Sequence, residues 1–296
     1  MEIYYPLYYK DFHCLADKCK NSCCVGWEIC VDEQTLKKYS SLAEPQRSEI
    51  CKNIHNGSIE LTDDGRCPFL DKNGLCKIIS TLGEDYISEI CREHPRFYNR
   101  ILDRNECGVG ASCPEACRLI LTQNDYRLFT KCSVKAEKSG EQTDFDTLKY
   151  RDIAYSVLSD SNASYADRIK EIKNRFQIPD ISDERKNALI DELEYLNESH
   201  KGGLLVGKRA SSQNEIYCER FLAYLIFRHV SVAKNYKNLC ARLGFCLMLC
   251  EILENFCAME TNFDEIKDFA RIISEEIEYS EDNCDLLIFE FECELD

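Results

Sequence analysis

No apolar run in this 296-residue chain is long enough to cross a bilayer. The most apolar stretch, CARLGFCLMLC from Cys240 to Cys250, is interrupted by Arg242 and falls well short of the roughly 20 residues a spanning helix needs. The opening MEIYYPLYYKDF has no basic start, no uninterrupted apolar segment and no small-residue cleavage site, so a secretory leader is not expected. Positive charge is also scarce: 37 Lys and Arg stand against 53 Asp and Glu, a formal net charge of −16, and no basic stripe with interleaved aromatics offsets it. Such a surface repels a phosphate backbone, which excludes nucleic acid as an expected partner. Internal repeats, heptad arrays and low-complexity tracts are missing too. The expectation is a globular cytoplasmic protein with no membrane span.

What the chain has in excess is cysteine, 20 in all. A chain of this length buries a core without covalent staples, so size does not account for them. In a reducing compartment clustered thiols serve more often as metal ligands or redox groups than as disulfides. Thirteen of them fall between Cys14 and Cys132, and seven are spread from Cys218 to Cys293. Between these halves the polar stretch from Ser133 to Asp146 carries Gly140 and no apolar periodicity. The expected fold is therefore mainly α. It comprises a cysteine-rich metal-binding domain over residues 1–132 with a short β-hairpin, a linker over 133–146, and a helical bundle over 147–296 ending in an acidic tail. Ten acidic residues and no Lys or Arg lie between Glu275 and Asp296, which reads as a solvated helix face and tail.

Local signals place the cysteines. Asp32 is an expected N-cap for a helix through Leu36 and Tyr39, and Pro45 makes that helix break or restart. SIEL and CPFLDKNGLCKII read as short extended runs, with Asn73-Gly74 turning the chain so that Cys67 and Cys76 approach each other. EDYISEICREH reads as a short helix ended by Pro95, with Cys91 in its last turn. Ser112-Cys113-Pro114-Glu115 has the form of a helix start, which would put Cys113 at a helix N-terminus. In the second half, helices are expected near 145–158, 165–176, 183–197, 214–233, 237–259 and 263–277, from spacings such as Ile216, Phe221, Tyr224, Leu225 and Phe227.

The sharpest motif is FHCLADKCKNSCCVGWEI, in which Cys14, Cys19, Cys23 and Cys24 fall as C-x4-C-x3-C-C. Structural zinc prefers two short knuckles that close a tetrahedron, and adjacent cysteines fit that pattern poorly. Side chains of neighbouring residues diverge, so Cys23 and Cys24 do not both suit one ion. An iron–sulfur cluster is a larger body that takes thiolates from separate directions, and Cys67, Cys76, Cys91 and Cys113 are available as distal ligands. This points to a metal centre, more of the iron–sulfur than the lone zinc type, with the ligand set open. Cys246, Cys250 and Cys257 share one helical face and read as core packing.

From Phe12 the run F-x-C-x4-C-x3-C-C-x-G-W-x-I-x-x-D resembles the opening of the flagellin lysine-N-methylase family, within a broader group of cysteine-rich zinc- or iron-chelating proteins. The likeness continues through GRCPFLDKNGLCKI, LGEDYISEICREHPR and SCPEA, with a fainter echo in ERFLAYLIFRHV. The family's usual Tyr before the Pro-Arg pair is His94 here. The resemblance implies methyl transfer from S-adenosylmethionine to lysines of a flagellin-type protein, a [4Fe–4S] cluster, and a ligand set drawn from Cys14, Cys19, Cys23, Cys24, Cys67, Cys76, Cys91 and Cys113.

The residues themselves show neither a G-x-G-x-x-G turn between strand and helix nor the C-x3-C-x2-C of radical S-adenosylmethionine enzymes. Gly108 and Gly110 in CGVGASC imitate the first only in part. Tyr4, Tyr5, Tyr8, Tyr9 and Trp27 are candidates for an aromatic wall around a lysine, against a plainer reading as strand and core packing. A non-catalytic or redox iron–sulfur or zinc module that docks a partner protein is the alternative function.

Overall fold

The computed structural model describes residues 2–125, 129–133, 141–207, 214–259 and 261–295. Residues 134–140 of the expected linker lie outside them. Strand β1 (Glu2–Pro6) opens the chain. By its contacts the chain divides into a unit formed by His13–Arg96 and another formed by Met1–Phe12 with Phe97–Asp296. This division differs from the compositional boundary because β1 belongs to a sheet built from later strands, which leaves the cysteine motifs enclosed between them in sequence.

The 13–96 unit is small. It contains β2 (Ile29–Cys30), α1 (Glu33–Ser40), α2 (Gln46–Cys51), β3 (Ile54–His55), β4 (Ser58–Ile59), α3 (Lys77–Leu82) and α4 (Glu89–Glu93). Its sheet runs β2-β4-β3, antiparallel, with Ile59 opposite both Ile29 and Ile54. Asp32 caps α1 as the sequence suggests. Its carboxylate accepts from Thr35 N at 2.9 Å and Thr35 Oγ1 at 2.8 Å, and also from Glu89 N at 2.9 Å, so one side chain ties the starts of α1 and α4. Burial works to raise the Asp32 carboxyl, but these donors win and hold it down at about 2.

The Asn73-Gly74 turn is present, with Gly74 at φ +80 and Asp71 Oδ1 accepting from Asn73 N and Leu75 N, each at 2.8 Å. The expected hairpin is only a single bridge between Leu70 and Cys76, and the run CKII turns helical from Lys77. Instead Cys76 is the N-cap of α3. The helical turn carries Ile78 into the core at 4% exposure.

The second unit combines a sheet with helices. Strands β5 (Arg96–Ile101), β6 (Arg104–Val109), β7 (Phe129–Ser133) and β8 (Glu141–Thr143) join β1 in the order β7-β1-β6-β5-β8, with β1 parallel to β6 and antiparallel to β7. The sequence reading missed this sheet. Helix α5 (Pro114–Thr122) follows β6 and has Pro114 in its first turn as expected. Then come α6 (Leu148–Leu158), α7 (Tyr165–Phe176), α8 (Asp183–Glu192), α9 (Glu215–His229), α10 (Tyr236–Cys257), α11 (Phe263–Ile273) and α12 (Glu281–Cys293).

Six of these match expected helices, with α8 stopping short of 197 and α11 giving way to a π turn over Ser274–Glu278. The acidic end is more than a solvated tail: α12 buries Asn283, Leu287, Ile288 and Phe291. Helix α10 is the axis of the core, with Leu243, Phe245, Cys246, Leu249, Cys250, Ile252 and Leu253 all at 0% exposure. Among the described residues no helix is long and apolar enough to cross a membrane.

Candidate metal centre

Seven of the eight implied ligand cysteines lie in the 13–96 unit, and the eighth, Cys113, lies in the other. Cys14 and Cys19 flank a short 3-10 turn over Ala16–Lys18. Ala16 N donates to Cys14 Sγ at 3.4 Å, and Cys19 Sγ donates to Asn21 O at 3.3 Å. Backbone bonds then dock the Cys23-Cys24 loop on the segment before Cys67: Cys67 N donates to Cys24 O and Gly26 N to Gly65 O, both at 2.8 Å. Lys77 N donates to Phe69 O at 2.7 Å, which brings Cys76 back beside Cys67. Cys91 is carried on α4, whose start Asp32 holds.

The result is a tetrad. Cys24, Cys67, Cys76 and Cys91 each come from a different segment, and every pair among them is close enough for one thiol's charge to shift the other. Cys67 is buried, Cys24 and Cys76 are half-buried and Cys91 is exposed. Burial pushes the Cys67 thiol up to about 11, and desolvation of the sulfur followed by the neighbouring thiols holds Cys76 and Cys91 above the ordinary range.

Cys24 goes the other way. A hydrogen bond shared with the Cys23 thiol, opposed by burial and helped by Ser22 and the Arg66 guanidinium, lowers it. Cys23 is raised, first by that same bond, then by burial and by the charges of Cys24, Cys14 and Cys91. The adjacent cysteines thus take different parts. Cys24 lies near Cys67, Cys76 and Cys91, and Cys23 lies near Cys14 and Cys91. Thiolate is the form that binds metal and attacks electrophiles, so the donor set fits a soft metal centre.

Arg66, Ser22 and Asp32 support this site, and spacing alone identified only Asp32. Tyr39 was placed on α1 but not at the site. It sits beneath the tetrad at 1% exposure, donates to Tyr86 O at 2.7 Å, and its hydroxyl is raised by burial and then by Cys91 and Cys76. Trp27 is half-buried with its ring 6.5 Å from that of His94.

Other candidates lie elsewhere. Cys113 is the half-buried N-cap of α5 and lies beside the buried Cys117. The aromatic wall is divided between the units: Tyr5 and Tyr9 pack together at 4.4 Å, Arg104 stacks 4.0 Å over Tyr4, and Tyr8 is buried. The glycines of CGVGASC leave room for side chains. A Cβ on Gly108 would stand 2.7 Å from Phe97 Cε1, and one on Gly110 would stand 2.7 Å from Arg228 Nη1 and fall on Tyr279 Oη. Among the described residues, His200, Glu275 and Glu276 are the one group of three His, Cys, Asp or Glu residues whose ligand atoms lie within 4.8 Å of one another. They are already partnered, Glu276 by His200 and Leu196 N and Glu275 by Arg271.

No protein-family model matches the sequence, and no solved structure matches it. A lysine-N-methylase of Salmonella choleraesuis is 31% identical over 130 residues, 40% of this chain and 32% of that protein, and its Salmonella typhimurium counterpart matches equally. The flagellar biosynthetic protein FliU of Salmonella muenchen is also 31% identical over 130 residues, with 77% of its length covered. This chain belongs to the flagellin lysine-N-methylase family. The match spans about a third of the length of the two Salmonella methylases. Within the family pattern, Cys24, Cys67, Cys76 and Cys91 lie near one another, and Cys23 lies near Cys14 and Cys91.

Proposed function

We propose that this chain is a protein-lysine N-methyltransferase that takes its methyl group from S-adenosylmethionine, acts on exposed lysines of a flagellin-type protein, and carries an iron–sulfur cluster in its 13–96 unit. The observation that carries the reading is family membership combined with the convergence of Cys24, Cys67, Cys76 and Cys91. In the reaction the neutral lysine Nε attacks the sulfonium methyl carbon, the carbon–sulfur bond breaks, and the amine loses its proton. Cys24, Cys67, Cys76 and Cys91 would hold such a cluster, which would supply thiolate-ligated iron when bound. Zn–S bonds of about 2.3 Å put the sulfurs of a zinc tetrahedron about 3.8 Å apart. No three sulfurs among the described cysteines lie within 4.8 Å of one another.

A second reading, a metal module without methylase activity that docks a partner protein, is favoured by two observations. The G-x-G segment is filled by protein side chains, and the match covers only part of the methylases. Protein purified without oxygen, with about four irons per chain and broad absorption near 400 nm, supports the cluster. Transfer of labelled methyl from S-adenosylmethionine to flagellin lysines, mapped by mass spectrometry, supports the enzyme. Stoichiometric zinc with no iron overturns the first, and a cluster-loaded protein that leaves flagellin unmodified overturns the second.

A further inference from the structure

Helix α12 has an outward face that neither its packing nor the metal centre uses. Asp282, Asp285, Phe289 and Cys293 are exposed and follow one another at spacings of three and four residues, so they form one stripe along the helix. The opposite side, with Asn283, Leu287, Ile288 and Phe291, is buried. Phe289 stands within the stripe at 65% exposure, more than any other large apolar residue among those described. A single exposed apolar side chain is ordinary on a protein surface; this one is set apart by the charge around it. Helix α8 runs antiparallel beside α12. Arg185 near its start donates to the two Glu290 oxygens at 2.6 and 2.7 Å, and Glu194 just past its end exchanges backbone hydrogen bonds with the Asn283 side chain at 2.9 and 2.7 Å. To the carboxylates of α12 it adds the exposed Glu184 and Glu192. The cations of these two helices are already committed: α12 has none, Arg185 is held by Glu290, and Lys186 is buried on Glu251 at 2.8 Å. The helix pair therefore presents a bare aromatic ring in a field of negative charge.

We propose that this face docks a basic segment of the protein substrate, with the stem of a lysine or arginine laid over Phe289 and its neighbouring cations facing Asp282 and Asp285. Long basic side chains suit the site because their methylene stems cover apolar surface while the charged head reaches a carboxylate, and the same head is attracted to an aromatic face. An aromatic centre with a charged rim is also the usual layout of a protein-docking surface, the ring supplying affinity and the rim supplying approach rate and choice of partner. Charge decides the occupant. A second copy of this chain would bring its own net charge of −16 to the stripe, and a nucleic acid would bring its phosphates, so both are repelled where a basic protein segment is drawn in. The partner's identity as substrate rests on the methylase reading, since an enzyme that modifies lysines has to hold a protein that displays them.

The test uses the whole chain and purified flagellin, with association and dissociation followed by biolayer interferometry at low and high salt. Phe289→Ser removes an exposed ring, so the fold should hold, and the Kd should rise roughly tenfold, as for a central docking residue. Asp282→Lys combined with Asp285→Lys should slow association roughly tenfold at low salt and much less at high salt, where the charges are screened. In methylation assays both variants should raise KM for flagellin and leave kcat unchanged, because neither touches a reacting atom. Wild-type binding by both variants, in a protein that still methylates flagellin, overturns the docking face and leaves the methylase reading standing. Binding that the variants weaken, with no methylation by any form, keeps the face and overturns the methylase reading. A wild-type dimer, seen by light scattering, that Phe289→Ser dissociates gives the face to a second copy and overturns the proposal.

Discussion

The two units of this chain solve the same problem with different means. The larger one is held by ordinary burial: an almost wholly inaccessible α10 packs among its neighbours, with buried pairs such as Arg151 on Glu106 at 2.6 and 2.8 Å satisfying the polar groups inside. The 13–96 unit has a core of eight buried residues: Ile29, Val31, Tyr39, Ile50, Ile59, Cys67, Phe69 and Ile78. A core that thin supplies little stability, and small domains of this kind gain the rest from staples or metals. One of the eight is itself a member of the cysteine tetrad. A metal held by the tetrad would therefore also stabilise the small unit, because metal binding energy is folding energy where the site does not exist unfolded.

The largest effect should come from breaking that dependence. Replacing Cys24 and Cys67 together by Ala is expected to abolish metal loading and methyl transfer and to leave the 13–96 unit open to protease, while far-ultraviolet circular dichroism shows the helices of the other unit intact. Iron content and limited proteolysis measure this. Loss of helix throughout would show that the two units do not hold separately.

Next is a charge inside the larger unit. Glu278 is buried, accepts from His229 Nε2 at 2.7 Å and Tyr224 Oη at 3.0 Å, and lies 3.8 Å from Arg228 Nη1. Burial opposes its charge, but Arg228 and His229 together hold its carboxyl below the usual range. A carboxyl depressed in the folded state stabilises above its unfolded value, near 4.5, and that contribution fades as pH falls through the folded value. Glu278→Gln should therefore lose about 3 kcal/mol at pH 7, the cost of leaving a buried partner charge uncompensated, and flatten the acid limb of stability. Urea unfolding at pH 7 and pH 4 checks both, and the tetrad's metal content should not move.

A smaller effect is expected at Asp32→Ala, which removes the shared cap of α1 and α4. It should cost about 1–2 kcal/mol, the upper part of the range for a lost N-cap, and speed exchange of the Thr35 and Glu89 amide protons. Because α4 carries Cys91, metal should also be lost faster to a chelator. An unchanged loss rate would mean that Cys91 is held by something else. The smallest is Lys37→Ala, which breaks an exposed pair with Glu33 at 3.9 Å. Less than about 0.5 kcal/mol is expected, and a larger change would expose an unrecognised contact on α1.

Much of this was legible one residue at a time. Asp32 as a cap, Gly74 as a turn, Pro114 as a helix start and the long apolar periods of α9 and α10 are local rules, and the fold obeys them. The run CKII was misread because extended and helical backbone are equally open to four residues until something supplies a neighbour. The five-stranded sheet was invisible for a related reason: β1 finds its partners about a hundred residues away, at β6 and β7.

Sequence by itself determined that this chain is mainly helical, rich in thiols beyond any structural need, and patterned as a flagellin lysine-N-methylase, since these follow from composition, spacing and order. Tertiary structure alone decided which thiols meet. Cys23 and Cys24 are neighbours in the chain and equivalent in the motif, but hydrogen bonds from Cys67 and Gly26 fix the loop so that Cys24 lies near all of Cys67, Cys76 and Cys91 while Cys23 lies near Cys14 and Cys91. Cys113 belongs to the same pattern and to the other unit. Spacing measures separation along the chain, whereas a ligand set depends on separation in space, and only the packing of loops converts one into the other.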